Sequence, residues 1–295
     1  MRVRDFLLLV LVCLIWASNN VVSKIVVDDL AVPPIFYAAL RFALVTLVML
    51  PWLLPMPRPA WRIILIGLLM GGGNFALLFI GLQTTSPSSA AIILQLGVPF
   101  TILLSVLMLG ERIHWRRGIG IGLTLLGVLF VVWRPEGLSL STGLWFVAAA
   151  AFAGSAGAVL MKRVQDVSPF RFQAWVGLVS VITLPIASLL FEQGQWEAAV
   201  AVGWPLAAAV LFTALVVSVG AHSAYYHLIR NYEANLLAPL TLMTPLATIA
   251  LGVLITNDAF DLRMGVGATL AIGGVLIVAL RRKPATELLV DREQR

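Results

Sequence analysis

The chain has 295 residues, 60% of them hydrophobic and only 12% charged, with a mean hydropathy of +0.99. That balance excludes a soluble globular domain and marks a membrane protein. The net charge of +6 is read as topology and attraction to anionic lipid headgroups, which leaves nucleic acid without a role as partner. The single cysteine, Cys13, excludes an internal disulfide.

No charged side chain occurs from Ile63 to Gly110, and the runs Ala198 to Ile229 and Ala234 to Asn257 are equally free of charge. A spanning helix needs roughly 20 residues at about 1.5 Å each. In lipid the backbone must bond within its own segment, so the spans are helices. Punctuation by Pro, Gly and charge predicts ten: 5–27, 34–54, 61–82, 87–109, 117–132, 142–163, 169–191, 204–228, 234–255 and 262–280. The first begins like a signal peptide, but its apolar run continues to Val27 and the duplication described below requires it. It is expected to be retained.

An unsatisfied polar group at membrane depth is costly, so polar residues inside the spans carry the information. In chain order they are Trp16, Asn19 and Asn20 in span 1, Asn74 with Phe75 and Phe79 in span 3, and Gln95 in span 4. Ser155 follows in span 6, His222, Tyr225 and Tyr226 in span 8, and Thr241 and Thr244 in span 9. Two readings stand for each: contact with a solute, or bonds between neighbouring helices at roughly 0.6–2 kcal/mol apiece. Adjacent helix positions point about 100° apart, so Asn19 and Asn20 cannot face one cavity equally. Together, aromatic walls with a few amides suit a ligand having an apolar side chain and a polar head. Arg41, in span 2, is expected to snorkel or to pair with Asp28 or Asp29, a structural role favoured over substrate binding. Lys24 and Lys162 read as interfacial anchors. Gly67, Gly71 to Gly73, Gly118, Gly120 and Gly122 are expected to let helices approach closely.

The chain repeats itself. Leu94, Pro99 and Leu104 recur 146 positions on as Leu240, Pro245 and Ala250. At a spacing of 147, Glu111 matches Asp258, Arg116 matches Arg263, and Gly118, Gly120 and Gly127 match Gly265, Gly267 and Gly274. The paired prolines Pro99 and Pro245 each remove a helix bond, and are read either as hinges or as static bends. Sixteen of the twenty Lys and Arg fall on the side of the N-terminus, which places both termini in the cytoplasm. Five spans per copy then force the second copy to enter from the opposite face, so the repeats at 5–133 and 142–280 are expected to be inverted, followed by a cytoplasmic tail at 281–295. The fold class expected is all-α integral membrane, with ten transmembrane helices as two inverted five-helix repeats.

Arg41-Phe42 in span 2, Leu109-Gly110-Glu111-Arg112 at the end of span 4 and the glycine-rich span 5 resemble the EamA domains of the drug/metabolite transporter superfamily, and within it the YddG-type amino-acid exporters. The resemblance covers residues 5–280 and implies a ten-helix exporter with spans 1–4 and 6–9 around a central cavity. Thr256-Asn257-Asp258 departs from the Leu-Gly-Glu pattern in the second copy.

No Asp or Glu stands in the middle of a span, so a carboxylate proton relay is unsupported. His222 is the one mid-span group that ordinarily titrates near neutrality, and facilitated diffusion explains the sequence equally well. No phosphate-binding loop supports an ATP-driven pump. No metal-ligand or acid–base cluster appears, so no cofactor, no metal and no enzymatic reaction are expected. The expected function is a secondary carrier in the cytoplasmic membrane, a monomer, exporting small amphiphilic metabolites, foremost neutral or aromatic amino acids, by alternating access. One alternative is a nucleotide-sugar or sugar-phosphate exchanger, although a single deep cation, Arg41, is poor provision for such anionic cargo. The other is a small-solute channel.

Overall fold

The computed structural model describes residues 1–84, 93–94, 96–113, 115–132, 142–164, 167–255 and 262–279. Among them every regular element is helical. In the first half these are α1 (Val3–Lys24), which runs on through a π-helical turn at Ile25–Asp29, then α2 (Pro34–Met49), α3 (Ala60–Met70), α4 (Gly72–Leu82), α5 (Gly97–Leu109) and α6 (Trp115–Val132). The second half holds α7 (Thr142–Met161), α8 (Pro169–Phe191), α9 (Gln195–Val202), α10 (Trp204–Leu211), a π-helical segment (Phe212–His222), α11 (Ser223–Asn231), α12 (Ala234–Leu240), α13 (Met243–Ile255) and α14 (Leu262–Ala279). Among the described residues six stretches are long and apolar enough to cross a membrane: Val3–Asp29, Pro34–Trp52, Ala60–Leu82, Thr142–Met161, Pro169–Phe191 and Trp204–Asn231. Four shorter apolar stretches, Gly97–Leu109, Gly118–Gly127, Leu236–Thr248 and Gly265–Gly274, accompany them. Leu7, Leu11, Leu47, Leu107 and Leu189 stay on the outside, as they do when the surroundings are lipid rather than water.

Three of the stretches depart from the α-helix in their interior. The third breaks at Gly71, where a Cβ would run into Ser180 and lie 2.9 Å from Val176 Cγ1; at Gly72 it would collide with Thr183. Close seating on α8 is therefore what the glycines provide. The stretch after Trp204 widens into eleven residues of π-helix, a form that recurs at functional sites. The third break lies between α12 and α13, and here the prolines explain it. Pro245 has no N–H, so Thr241 O is taken instead by Thr244 N at 2.9 Å, and Leu242 N bonds Pro239 O at 3.2 Å. Leu96 N bonds Ile93 O at 3.0 Å in the same three-residue pattern, at the position matching Leu242 in the repeat. Pro99 and Pro245 thus sit in the first turn of α5 and of α13, each preceded by a turn residue.

Helix packing exchanges the halves. The pairs α6 with α14 and α2 with α8 join like to like, and α5 meets α12, which precedes its own counterpart α13. Contacts of α1 with α13 and with the π segment mirror those of α7 with α5 and with α3 and α4. At the most extensive pairing, a Cβ at Gly127 would stand 2.6 Å from Gly267 O, and one at Gly274 would stand 2.5 Å from Gly120 O. These contacts interchange when 147 is added to or taken from the residue number. Gly118 and Gly122, by contrast, face open space, so the close approach expected of them is not what they provide. The large buried side chains Leu9, Ile35, Phe42, Phe172 and Tyr226 belong to one core cluster.

The motif ending α5 has a structural reading. Gly110 at φ +67° lets Glu111 N reach back to Ser105 O at 3.3 Å, the Schellman pattern that terminates a helix. The turn brings Glu111 Oε1 to Lys162 Nζ at 2.9 Å and to Ala234 N at 3.0 Å. Lys162 is therefore half of an ion pair between helices, not the interfacial anchor expected from its position. The matching Thr256-Asn257-Asp258 lies outside the described residues.

A second carboxylate caps α2. Glu192 Oε1 and Oε2 accept from Ile35 N at 2.6 Å and Phe36 N at 2.8 Å, and Ser188 Oγ donates to Oε2 at 2.8 Å. Two otherwise orphaned helix donors are satisfied by a charge placed at the positive end of the dipole. Glu192→Ala is expected to destabilise the protein by about 2 kcal/mol, and Glu192→Gln by less. Thermal unfolding of the two variants in detergent checks the order.

Candidate functional site

Residues from both halves line an open cavity of about 270 Å³, just below the roughly 300–1,000 Å³ usual for ligand sites. From the first half come Met70, Asn74, Leu94, Gly97, Val98 and Thr101. From the second come Ala150, Ala151, Gly154, Ser155 and Ala158 of α7, Tyr225 of α11, and Ala238, Thr241, Leu242 and Pro245 around the α12–α13 break. Small residues on α7 make the room.

The polar atoms of this wall are held in place by the backbone of the opposite helix. Asn74 Nδ2 donates to Ala150 O at 2.6 Å, and the absence of a side chain at Gly154 permits it, since a Cβ there would lie 3.0 Å from Nδ2. This leaves Asn74 Oδ1 as an acceptor in the wall. Ser155 Oγ lies 2.8 Å from both Gly97 O and Ala151 O, and its one proton is shared between them. The first of these bonds ties α7 to the residue where α5 begins.

Behind this wall lies an aromatic layer. The Trp16 ring meets Tyr225 edge-on at 5.0 Å and His222 at 5.3 Å. His222 is 6.2 Å from Tyr226, which packs on Phe172 at 4.9 Å. His222 Nδ1 donates to Val217 O at 2.9 Å. Because a carbonyl only accepts, this contact places the proton on Nδ1 and leaves Nε2 as the basic nitrogen. Phe75 packs on Phe42 at 5.4 Å and on Phe79 at 6.2 Å.

Beyond the aromatic layer is Arg41, 4% exposed. Neither expectation for it holds: Asp28 and Asp29 are exposed, and no carboxylate pairs with it among the described residues. Instead Nε donates to Ser218 Oγ at 2.7 Å and Nη1 to Asn19 Oδ1 at 3.4 Å, while the guanidinium lies 5.5 Å from the Phe42 ring centre and 5.6 Å from that of Phe75. The helix rule for adjacent residues separates the two asparagines, since Asn20 Nδ2 turns to Thr248 Oγ1 at 3.2 Å. Thr244 Oγ1 is buried, and among the described residues its polar neighbour is the Cys13 thiol, a weak hydrogen-bonding group.

The structure therefore brings Asn74, Ser155, Tyr225 and Pro245 together in the wall, with Trp16, Asn19, Phe75 and His222 in the layers behind it. Asn20, Phe79, Tyr226 and Thr244 stand outside the lining, Pro99 is next to the lining residue Val98, and Gln95 lies outside the described residues. Thr101 and Gly154 were missed. The first looks like any buried threonine in sequence, whereas Gly154-Ser155 on an alanine-rich helix is a signal of room beside a polar group.

Two copies of the EamA-like transporter family model match the chain, at residues 4–133 and 141–280. A relative in Salmonella typhimurium named "Probable amino-acid metabolite efflux pump" is 26% identical, over 93% of this chain and 94% of its own length. A relative of the same name in Escherichia coli is 27% identical over the same shares. One solved crystal structure superposes with a TM-score of 0.77 at 21% identity, covering 95% of this chain and 98% of that one, and so shares the fold. The chain belongs to the EamA-like transporter family and is a multi-pass membrane transporter of the drug/metabolite transporter superfamily.

Proposed function

We propose that the chain is a secondary carrier that exports small amphiphilic metabolites, foremost neutral or aromatic amino acids, across the cytoplasmic membrane by alternating access. The observation that carries this reading is the cavity, drawn from both halves and walled by one amide, hydroxyls and apolar side chains. The relatives' names agree with it. Its two halves are read as inverted repeats with both termini in the cytoplasm, and the exchange of helix contacts between halves is what such repeats produce. The matched turns before Pro99 and Pro245 serve as hinges in this reading, one in each rocking unit. Arg41 as the lone deep cation continues to disfavour nucleotide sugars and sugar phosphates, whose charge near −2 wants more than one partner.

Counterflow in proteoliposomes tests the reading. Saturable uptake of labelled leucine or phenylalanine, competed by other neutral amino acids, is expected; conductance without saturation would make the protein a channel. If flux depends on pH between 5 and 8, His222→Gln is expected to flatten the profile, and an unchanged profile removes His222 from coupling.

A further inference from the structure

We propose that Arg41, with the Trp16 indole N–H as a second donor, receives a carboxylate of the transported solute, so that the cargo is a monocarboxylate with an apolar body. The inference rests on the carrier reading above and adds to it the group that is recognised.

Arg41 is buried, and it carries five N–H donors in a planar fork. Two groups take some of them, Ser218 Oγ at 2.7 Å and Asn19 Oδ1 at the long distance of 3.4 Å. Among the described residues Nη2 has no hydrogen-bond partner. Both partners are neutral, and among the described residues no carboxylate balances the charge. A desolvated cation without an anion is one of the most expensive arrangements a membrane protein can hold, and a guanidinium edge fits a carboxylate better than any other common anion.

A second orphan points to the same seam. Trp16 Nε1 is buried without a hydrogen-bond partner among the described residues, and Trp16 lies one helical turn from Asn19 on α1. Ser218 and His222 face them from the π segment, with Arg41 reaching in from α2. Indole and guanidinium only donate, so the unsatisfied atoms call for an acceptor. The seam also touches the cavity through two rings: Phe75, adjacent in sequence to the wall residue Asn74, lies under the guanidinium, and Trp16 leans on the wall residue Tyr225. A solute whose apolar body occupies the cavity places its head at this partition. One guanidinium matches one carboxylate, and a phosphate monoester with nearly twice the charge would be left half neutralised.

The test uses L-phenylalanine, its methyl ester and 3-phenylpropionate as probes, with binding measured calorimetrically on purified protein in detergent and transport by counterflow. The wild type is expected to prefer phenylalanine to its ester by about tenfold or more. Arg41→Gln brings the acid down to the level of the ester and leaves the ester unchanged; Trp16→Phe, which removes only the N–H, gives a partial loss. A purely structural Arg41 would lower stability in Arg41→Gln and keep the acid-to-ester ratio, which overturns the proposal. If Arg41→Gln does not fold, Arg41→Lys and Trp16→Phe decide: an unchanged ratio in both overturns it. Binding of 3-phenylpropionate that Arg41 variants abolish, with no transport of amino acids, would uphold Arg41 and sink the amino-acid reading. Amino-acid transport with an unaltered ratio does the reverse, and failure of all three probes to bind the wild type removes both.

Discussion

Gly274→Val is expected to destabilise the protein by about 3 kcal/mol, at the upper end for overpacking a tight contact. A Cβ at Gly274 already stands 2.5 Å from Gly120 O and 2.5 Å from Thr124 N, and it collides with Thr124 Oγ1. Two of these obstacles are backbone, so α6 and α14 must part. Parting them sacrifices the close backbone approach on which helix association in lipid depends, because lipid offers no hydrophobic gain for bringing helices together. Gly127→Val should cost about the same, since its Cβ would stand 2.5 Å from Ala271 N and 2.6 Å from Gly267 O. Gly118→Val and Gly122→Val, where nothing lies within 4 Å, are the controls. Thermal unfolding in detergent checks the set; equal midpoints for Gly118→Val and Gly274→Val would contradict the packing argument.

Asn74→Ala is expected to cut transport by about tenfold, the equivalent of one lost polar contact to the solute. The competing effect is structural, because Asn74 Nδ2 ties α4 to Ala150 O at 2.6 Å. That bond contributes about 1 kcal/mol to stability, enough to shift the midpoint slightly without unfolding the chain. Measuring both quantities separates the roles. A lowered midpoint with normal flux makes Asn74 glue between helices; reduced flux in well-folded protein makes it a wall of the transport path. Ser155→Ala serves as the comparison, since its hydroxyl is already engaged by Gly97 and Ala151 carbonyls.

The sequence was legible where physics acts locally or by repetition. Charge-free runs announced helices in lipid, and the register of 146 to 147 residues foretold that Gly127 and Gly274 hold equivalent places, which the α6–α14 contact confirms. Proline at 99 and 245 announced a disturbance, though not that each would stand in the first turn of a helix, with α12 stopping for a turn before α13 begins. What stayed hidden depends on partners far away in the chain. Glu192 caps α2 across 157 residues, and Glu111 meets Lys162 across 51; neither pairing leaves a pattern in either segment alone. Arg41 was misjudged for the same reason. The nearest carboxylates in sequence, Asp28 and Asp29, suggested an ion pair, while its actual neighbours come from α1 and from a π segment with no sequence signature. Gly118 and Gly122 misled because glycine repeats at helical spacing mark a face only when another helix lies against it.

In the proposed arrangement the two copies of the bundle lie upside down to each other in the membrane, so their equivalent loops face opposite sides. Met56, in the loop after α2, and Gln193, in the loop after α8, are both exposed, and the one native cysteine, Cys13, is buried. Met56→Cys and Gln193→Cys are labelled separately with a membrane-impermeant maleimide, in intact cells and in inside-out vesicles. Labelling of Gln193→Cys only in cells and of Met56→Cys only in vesicles is the result predicted. Labelling of both from the same face would contradict the account.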